Sequence, residues 1–105
     1  MTVRRQGEAT FNAERAMLVA TTRTILAANP IYKNTQESED GSFVTSVKPS
    51  FYLASTPMTI SFEEVGANTT VKVGTTSQAF IIGDRWGYYN RYIQDFLYEL
   101  KRALH

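Results

Sequence analysis

The chain has 105 residues, 43% of them hydrophobic and 20% charged, a size and balance that suit one globular domain with a single core and argue against disordered, collagen-like and membrane-embedded classes. Eleven Lys and Arg against ten Asp and Glu leave a formal net charge of +1, too weak a field to capture a phosphate backbone or an anionic surface, so no nucleic-acid partner is expected. With no cysteine, disulfides, thiolate metal sites, iron–sulfur clusters and cysteine nucleophiles are excluded.

The first eight residues carry Arg4 and Arg5 but no apolar segment behind them, so they do not read as a secretory leader. A cytoplasmic location is the expectation, although a chain trimmed of a leader peptide would read the same way. No apolar run approaches the length of a membrane span.

Residues 7–11 predict a short first strand, with Ala9 and Phe11 on one face and Glu8 and Thr10 on the other. Asn12 is the expected N-cap of a helix over 13–28, with Glu14 in its first turn beside the positive end of the helix dipole. Leu18, Thr22, Ile25 and Leu26 form its expected buried stripe, with Met17 and Ala28 at the edges, and Asn29-Pro30 stops it.

Two strands over 31–36 and 42–48 follow, joined across 37–41, where Asp40-Gly41 supplies the left-handed residue of a hairpin turn. Phe43, Thr45 and Val47 alternate with Val44, Ser46 and Lys48. Pro49 ends the strand, and 50–56 shows neither helical nor strand punctuation. Met58, Ile60 and Phe62 alternate with Thr59, Ser61 and Glu63 in the clearest strand of the chain. Gly66-Ala67-Asn68 turns it into a partner over 69–78 with Val71 and Val73 on one face, which Phe80, Ile81 and Ile82 extend or follow.

Gly83-Asp84 opens the last helix, with Asp84 as N-cap. From Trp86 onward Tyr89, Ile93, Phe96, Leu97, Leu100 and Leu104 recur at helical spacing, with Arg91, Gln94, Asp95, Lys101 and Arg102 opposite. The expected fold is α+β, one domain over 1–105. It has the order β-α-β-β-β-β-α: a single antiparallel, twisted sheet of 4–5 strands with two helices packed on one face.

Catalytic machinery is hard to assemble from these residues. His105 is the single histidine and the final residue, where an imidazole is frayed and solvated, so no metal site and no nucleophile–base pair is expected on it. Glu63 and Glu64 are neighbours in a strand and point to opposite faces. Glu37, Glu39 and Asp40 fit turn chemistry, and Asp84 with Arg85 fits an N-cap with a flanking charge. The segment 83–87 sits where a phosphate loop would, without the glycine pattern or a lysine. Asn68-Thr69-Thr70 is a glycosylation sequon only in a secreted protein. The reading is therefore no enzyme and no cofactor.

Two surfaces remain as candidates. Tyr88, Tyr92 and Tyr98 fall beside the stripe of the last helix and, with Arg85 and Arg91, have the Tyr and Arg composition of an interaction surface. Phe51, Tyr52 and Leu53, with Trp86, form either a core plug or the mouth of a pocket between sheet and last helix.

The ending Gly-Asp-Arg-Trp-Gly-Tyr-Tyr-Asn-Arg-Tyr-Ile-Gln-Asp-Phe-Leu-Tyr-Glu-Leu-Lys, over 83–101, resembles small bacterial β-α-β4-α domains of unknown function. In these an Asp-x-Trp-Gly-like junction leads into a final helix over a curved antiparallel sheet. The layout is also similar to a shortened helix-grip fold of the START and Bet v 1 type. That resemblance implies an apolar small molecule held between sheet and helix, and carries over no functional residue. The expectation is a non-catalytic interaction or homo-oligomerising module, self-associating or binding another protein; the alternative is a small carrier of an apolar ligand.

Overall fold

The alternating apolar positions of the sequence become the inner face of one sheet. A computed structural model describes residues 2–48, 56–78 and 88–104. Its elements run β1 (Thr2–Phe11), α1 (Arg15–Ala28), β2 (Tyr32–Glu37), β3 (Phe43–Val47), β4 (Thr56–Val65), β5 (Asn68–Gln78) and α2 (Tyr88–Ala103). All five strands join one antiparallel sheet in the order β1-β5-β4-β3-β2, which makes the fold α+β.

Register aligns the apolar rows. Phe43 pairs with Ile60 and Ile60 with Val73, while Phe62 pairs with Val71 and Val71 with Ala9. Because side chains alternate across a strand, these residues share one face. Both helices lie on that face: α1 meets β2 and β4, and α2 meets β1, β5 and α1. Phe43, Val47, Met58, Ile60, Val71 and Val73 are buried beneath Leu18, Ile25 and Leu26 of α1 and Ile93, Phe96, Leu97 and Leu100 of α2. The other face is mostly polar and carries no helix among the described residues, as an antiparallel sheet permits. There Glu63 bonds Lys72 at 2.6 Å, and the Thr10 and Thr70 hydroxyls lie 2.8 Å apart.

Glycine acts at three backbone positions. Gly41 (φ +87°) and Gly66 (φ +62°) supply the left-handed residues of the two hairpin turns. At Gly7 the reason is space: a Cβ there would lie 2.6 Å from Ile93 Cγ2, so α2 packs directly on the β1 backbone.

The N-terminal part differs from expectation. β1 starts at Thr2 rather than at residue 7, because pairing with β5 from Thr2↔Gln78 to Phe11↔Thr69 imposes the strand on a polar run that shows no alternation. α1 starts at Arg15, with extended Glu14 at its cap and no side-chain cap bond, rather than at residue 13 behind Asn12. The Ala13 carbonyl instead accepts the Thr69 hydroxyl at 3.0 Å, holding the chain as it crosses from β1 to the helix.

Asn29 does more than end α1. Its Nδ2 donates to Glu99 Oε1 of α2 at 3.0 Å, and its Oδ1 accepts from the Ile31 N–H at 3.2 Å, so one side chain joins both helices to the start of β2.

Candidate functional site

A concavity lies at the edge of the sheet, between β1 and the C-terminal half of α2. It has a volume of about 610 Å³ and is walled by the consecutive residues 8–13, by Met17 of α1, by Gln94, Leu97, Tyr98 and Lys101 of α2, and by Leu104 just past the end of α2. No residue of β5 lines it. Since β5 occupies one side of β1, the cleft opens along the side of β1 that pairs with nothing among the described residues.

Local sequence explains each wall. Ala9, Phe11 and Ala13 are half-buried and form the apolar floor. Leu97 comes from the inward stripe of α2 and Leu104 follows the helix, packed against the core, whereas Tyr98 and Lys101 stand on the flank of α2. Tyr98 is 62% exposed with the Arg102 guanidinium 5.8 Å from its ring centroid, and Met17 is 55% exposed. Met17 and Tyr98 are thus two of the four large apolar side chains exposed among the described residues, and they border one groove, as on a contact surface; the other two, Val44 and Val65, stand on the outer face of the sheet.

Electrostatics at the cleft is mild. Glu8 pairs across β1–β5 with Lys72, whose ammonium is held above its ordinary value by the Glu63 hydrogen bond and charge, with a smaller contribution from Glu8. The same contact lowers the Glu63 carboxyl. Lys101 has no ion-pair partner among the described residues. Further off, burial pushes the Tyr32 phenol well above its ordinary value, with the Glu99 and Asp95 charges adding to the effect. The Asp40 carboxyl is lowered by hydrogen bonds from the Ser42 hydroxyl and N–H, at 2.6 and 3.0 Å; Arg15 donates to the Asp40 carbonyl. That is the turn chemistry expected of Asp40. Among the described residues no group of three or more His, Asp or Glu side chains converges, and no helix is long and apolar enough to cross a membrane.

The structure divides the residues picked from sequence. Tyr98 is exposed beside the cleft, and Arg91 is exposed on α2. Tyr92 is not on the surface: it is 8% exposed and belongs to the core. The correction has a packing reason, because α2 touches the sheet and α1 together and buries a wider arc than a single stripe. Tyr92 lies one turn before Phe96 on that arc. Tyr88 falls in the first turn of α2. Arg85, Phe51, Tyr52, Leu53 and Trp86 lie outside the described residues, as does His105.

Sequence reasoning missed the cleft itself. The signal was partial: Ala9 and Phe11 were read as an apolar face, but their neighbour across the groove is more than eighty positions later in the chain. A comparison of the chain with protein-family models and with curated proteins finds no match.

Proposed function

We propose that this domain is a non-catalytic interaction module whose docking surface is the cleft between β1 and α2. The observation that carries this reading is a strand edge that pairs with nothing among the described residues and runs beside an apolar groove. Six consecutive residues, 8–13, face the same concavity as Leu97, Tyr98 and Leu104. An extended partner segment laid there would take up the free N–H and C=O groups of β1, and alternate side chains would enter the groove. Backbone bonding gives affinity in this mode, and the groove gives selectivity.

A phage-displayed library of random peptides tests it. Wild-type protein is expected to enrich sequences with apolar residues at alternate positions, and Tyr98→Glu combined with Lys101→Glu to abolish the enrichment. Equal enrichment on wild type and double variant would sink the reading.

The carrier alternative draws support from the same space, since about 610 Å³ falls within the usual range for small-molecule sites. The helix-grip resemblance belongs to this second reading. Native mass spectrometry with long-chain fatty acids checks it; a retained one-to-one complex favours the carrier, and its absence removes it.

A further inference from the structure

Among the described residues the sheet ends in two edge strands, β1 and β2, and these are protected unequally. β2 is six residues long, its register with β3 shifts between Lys33 and Gln36, Asn34 sits at φ +53°, and every residue after Tyr32 is exposed. Short length, a bulge and an exposed lysine are the devices by which natural edges resist pairing with another strand. β1 has none of them: it is ten residues long, and its register with β5 is unbroken from Thr2 to Phe11. An edge in that state is a template for a further strand.

The sequence of β1, Thr-Val-Arg-Arg-Gln-Gly-Glu-Ala-Thr-Phe, is complementary to itself. We infer that two copies of this chain pair antiparallel through their β1 edges about a two-fold axis at Gln6, with Arg4 of each copy opposite Glu8 of the other. The inference rests on the docking reading above and names its occupant as a second copy.

Register selects that axis. An axis through a residue keeps the helices of both copies on the same side of a joined ten-stranded sheet. Centring on Arg4, on Arg5 or on Glu8 would set like charges against each other, which destabilises a strand pair, and centring on Gly7 would oppose no charges. Centring on Gln6 gives two Arg–Glu pairs. It also sets Thr2 against Thr10, and Val3 against Ala9 at the floor of the cleft, so that strand addition reaches the groove bordered by Met17 and Tyr98. The contact is isologous and closes at two copies, leaving the bulged β2 edges outermost.

Sedimentation equilibrium on the full chain tests the assignment. Wild type is expected to run at twice 11.9 kDa. Arg4→Glu and Glu8→Arg are each expected to raise the dimer dissociation constant on the order of tenfold, and the double variant Arg4→Glu/Glu8→Arg to return it to within about threefold of wild type. Glu8 also neighbours Lys72 within its own sheet, so the charge-swapped double variant, rather than Glu8→Arg alone, is the deciding measurement. Circular dichroism checks that each variant is folded. A wild-type monomer at millimolar concentration, or a dimer indifferent to both single reversals, overturns the proposal. In either case the peptide selection decides separately whether the cleft is a docking surface for another partner.

Discussion

The β1 and β2 edges belong to the same sheet and lie under the same helical layer, yet they are built in opposite ways. β2 is anchored by one residue: Tyr32 is buried and meets Phe96 edge-on, with ring centroids 6.3 Å apart and planes at 88°. Beyond it the strand bulges and turns to charge, ending at Glu37, which bonds Arg23 of α1 at 2.6 Å. β1 instead keeps an unbroken register with β5 along its whole length, and α2 rests on its backbone at Gly7. A strand held by a side-chain anchor can bend and hide its edge. A strand held through its backbone, with a helix seated on a glycine, must stay regular, and regularity leaves its edge open to pairing.

Five changes break or sharpen this contrast. The largest effect is expected from Phe96→Ala, because that ring is fully buried and serves both sides, contacting Tyr32 of β2 from the helix that covers β1. A loss of about 3–5 kcal/mol is expected in urea denaturation. A loss below about 1 kcal/mol would mean that α2 does not tie the two edges into one core.

Next comes Gly7→Ala, where the added methyl meets a β-branched side chain that has little freedom to move aside. It is expected to cost about 1–3 kcal/mol. Asn34→Gly at the β2 bulge removes a side chain from a left-handed residue and is expected to stay within about 0.5 kcal/mol of wild type. If the two changes cost the same, the backbone seat of α2 on β1 is not special.

The β2 anchor has a signature in alkali. Burial raises the Tyr32 phenol above the value of 10.0 that it takes in an unfolded chain, so the unfolded state loses its proton first. The stability that comes from keeping Tyr32 neutral is complete below pH 10 and falls progressively as pH rises beyond it. Tyr32→Phe is expected to flatten that limb of the melting-temperature profile; an unchanged slope would place Tyr32 in contact with solvent.

Smallest is the Glu63–Lys72 contact on the uncovered face. The Glu63 carboxyl is lowered by the Lys72 hydrogen bond and charge, so its contribution is present above pH 4.5 and lost as pH falls through the depressed value. Both groups are solvated, and Glu63→Gln is expected to shift the acid limb only slightly. A large shift would indicate that something covers this face.

The candidate site was far less legible in the sequence than the fold. Leu18, Thr22, Ile25 and Leu26 could be placed on one helical face because periodicity is local, and the structure buries all four. Met58 and Ile60 followed from alternation, and the hairpin turn from Asp40-Gly41, for the same reason. The cleft could not be found this way, since no local pattern states that residues 8–13 will face the last two turns of α2. Tyr92 shows a related limit: helical spacing places it near Phe96, but only contact with α1 as well as the sheet widens the buried arc enough to enclose it.

Sequence alone thus determined what short-range sterics and burial periodicity decide: the element order, the inward rows of β3, β4 and β5, and the apolar stripes of both helices. Tertiary structure decided what depends on which strands become neighbours. Pairing of β1 with β5 turned a polar run into a ten-residue strand, left its other side unpaired among the described residues, and brought α2 onto Gly7. The physical reason is that strand pairing and helix seating are energies between distant segments, which no window of neighbouring residues contains.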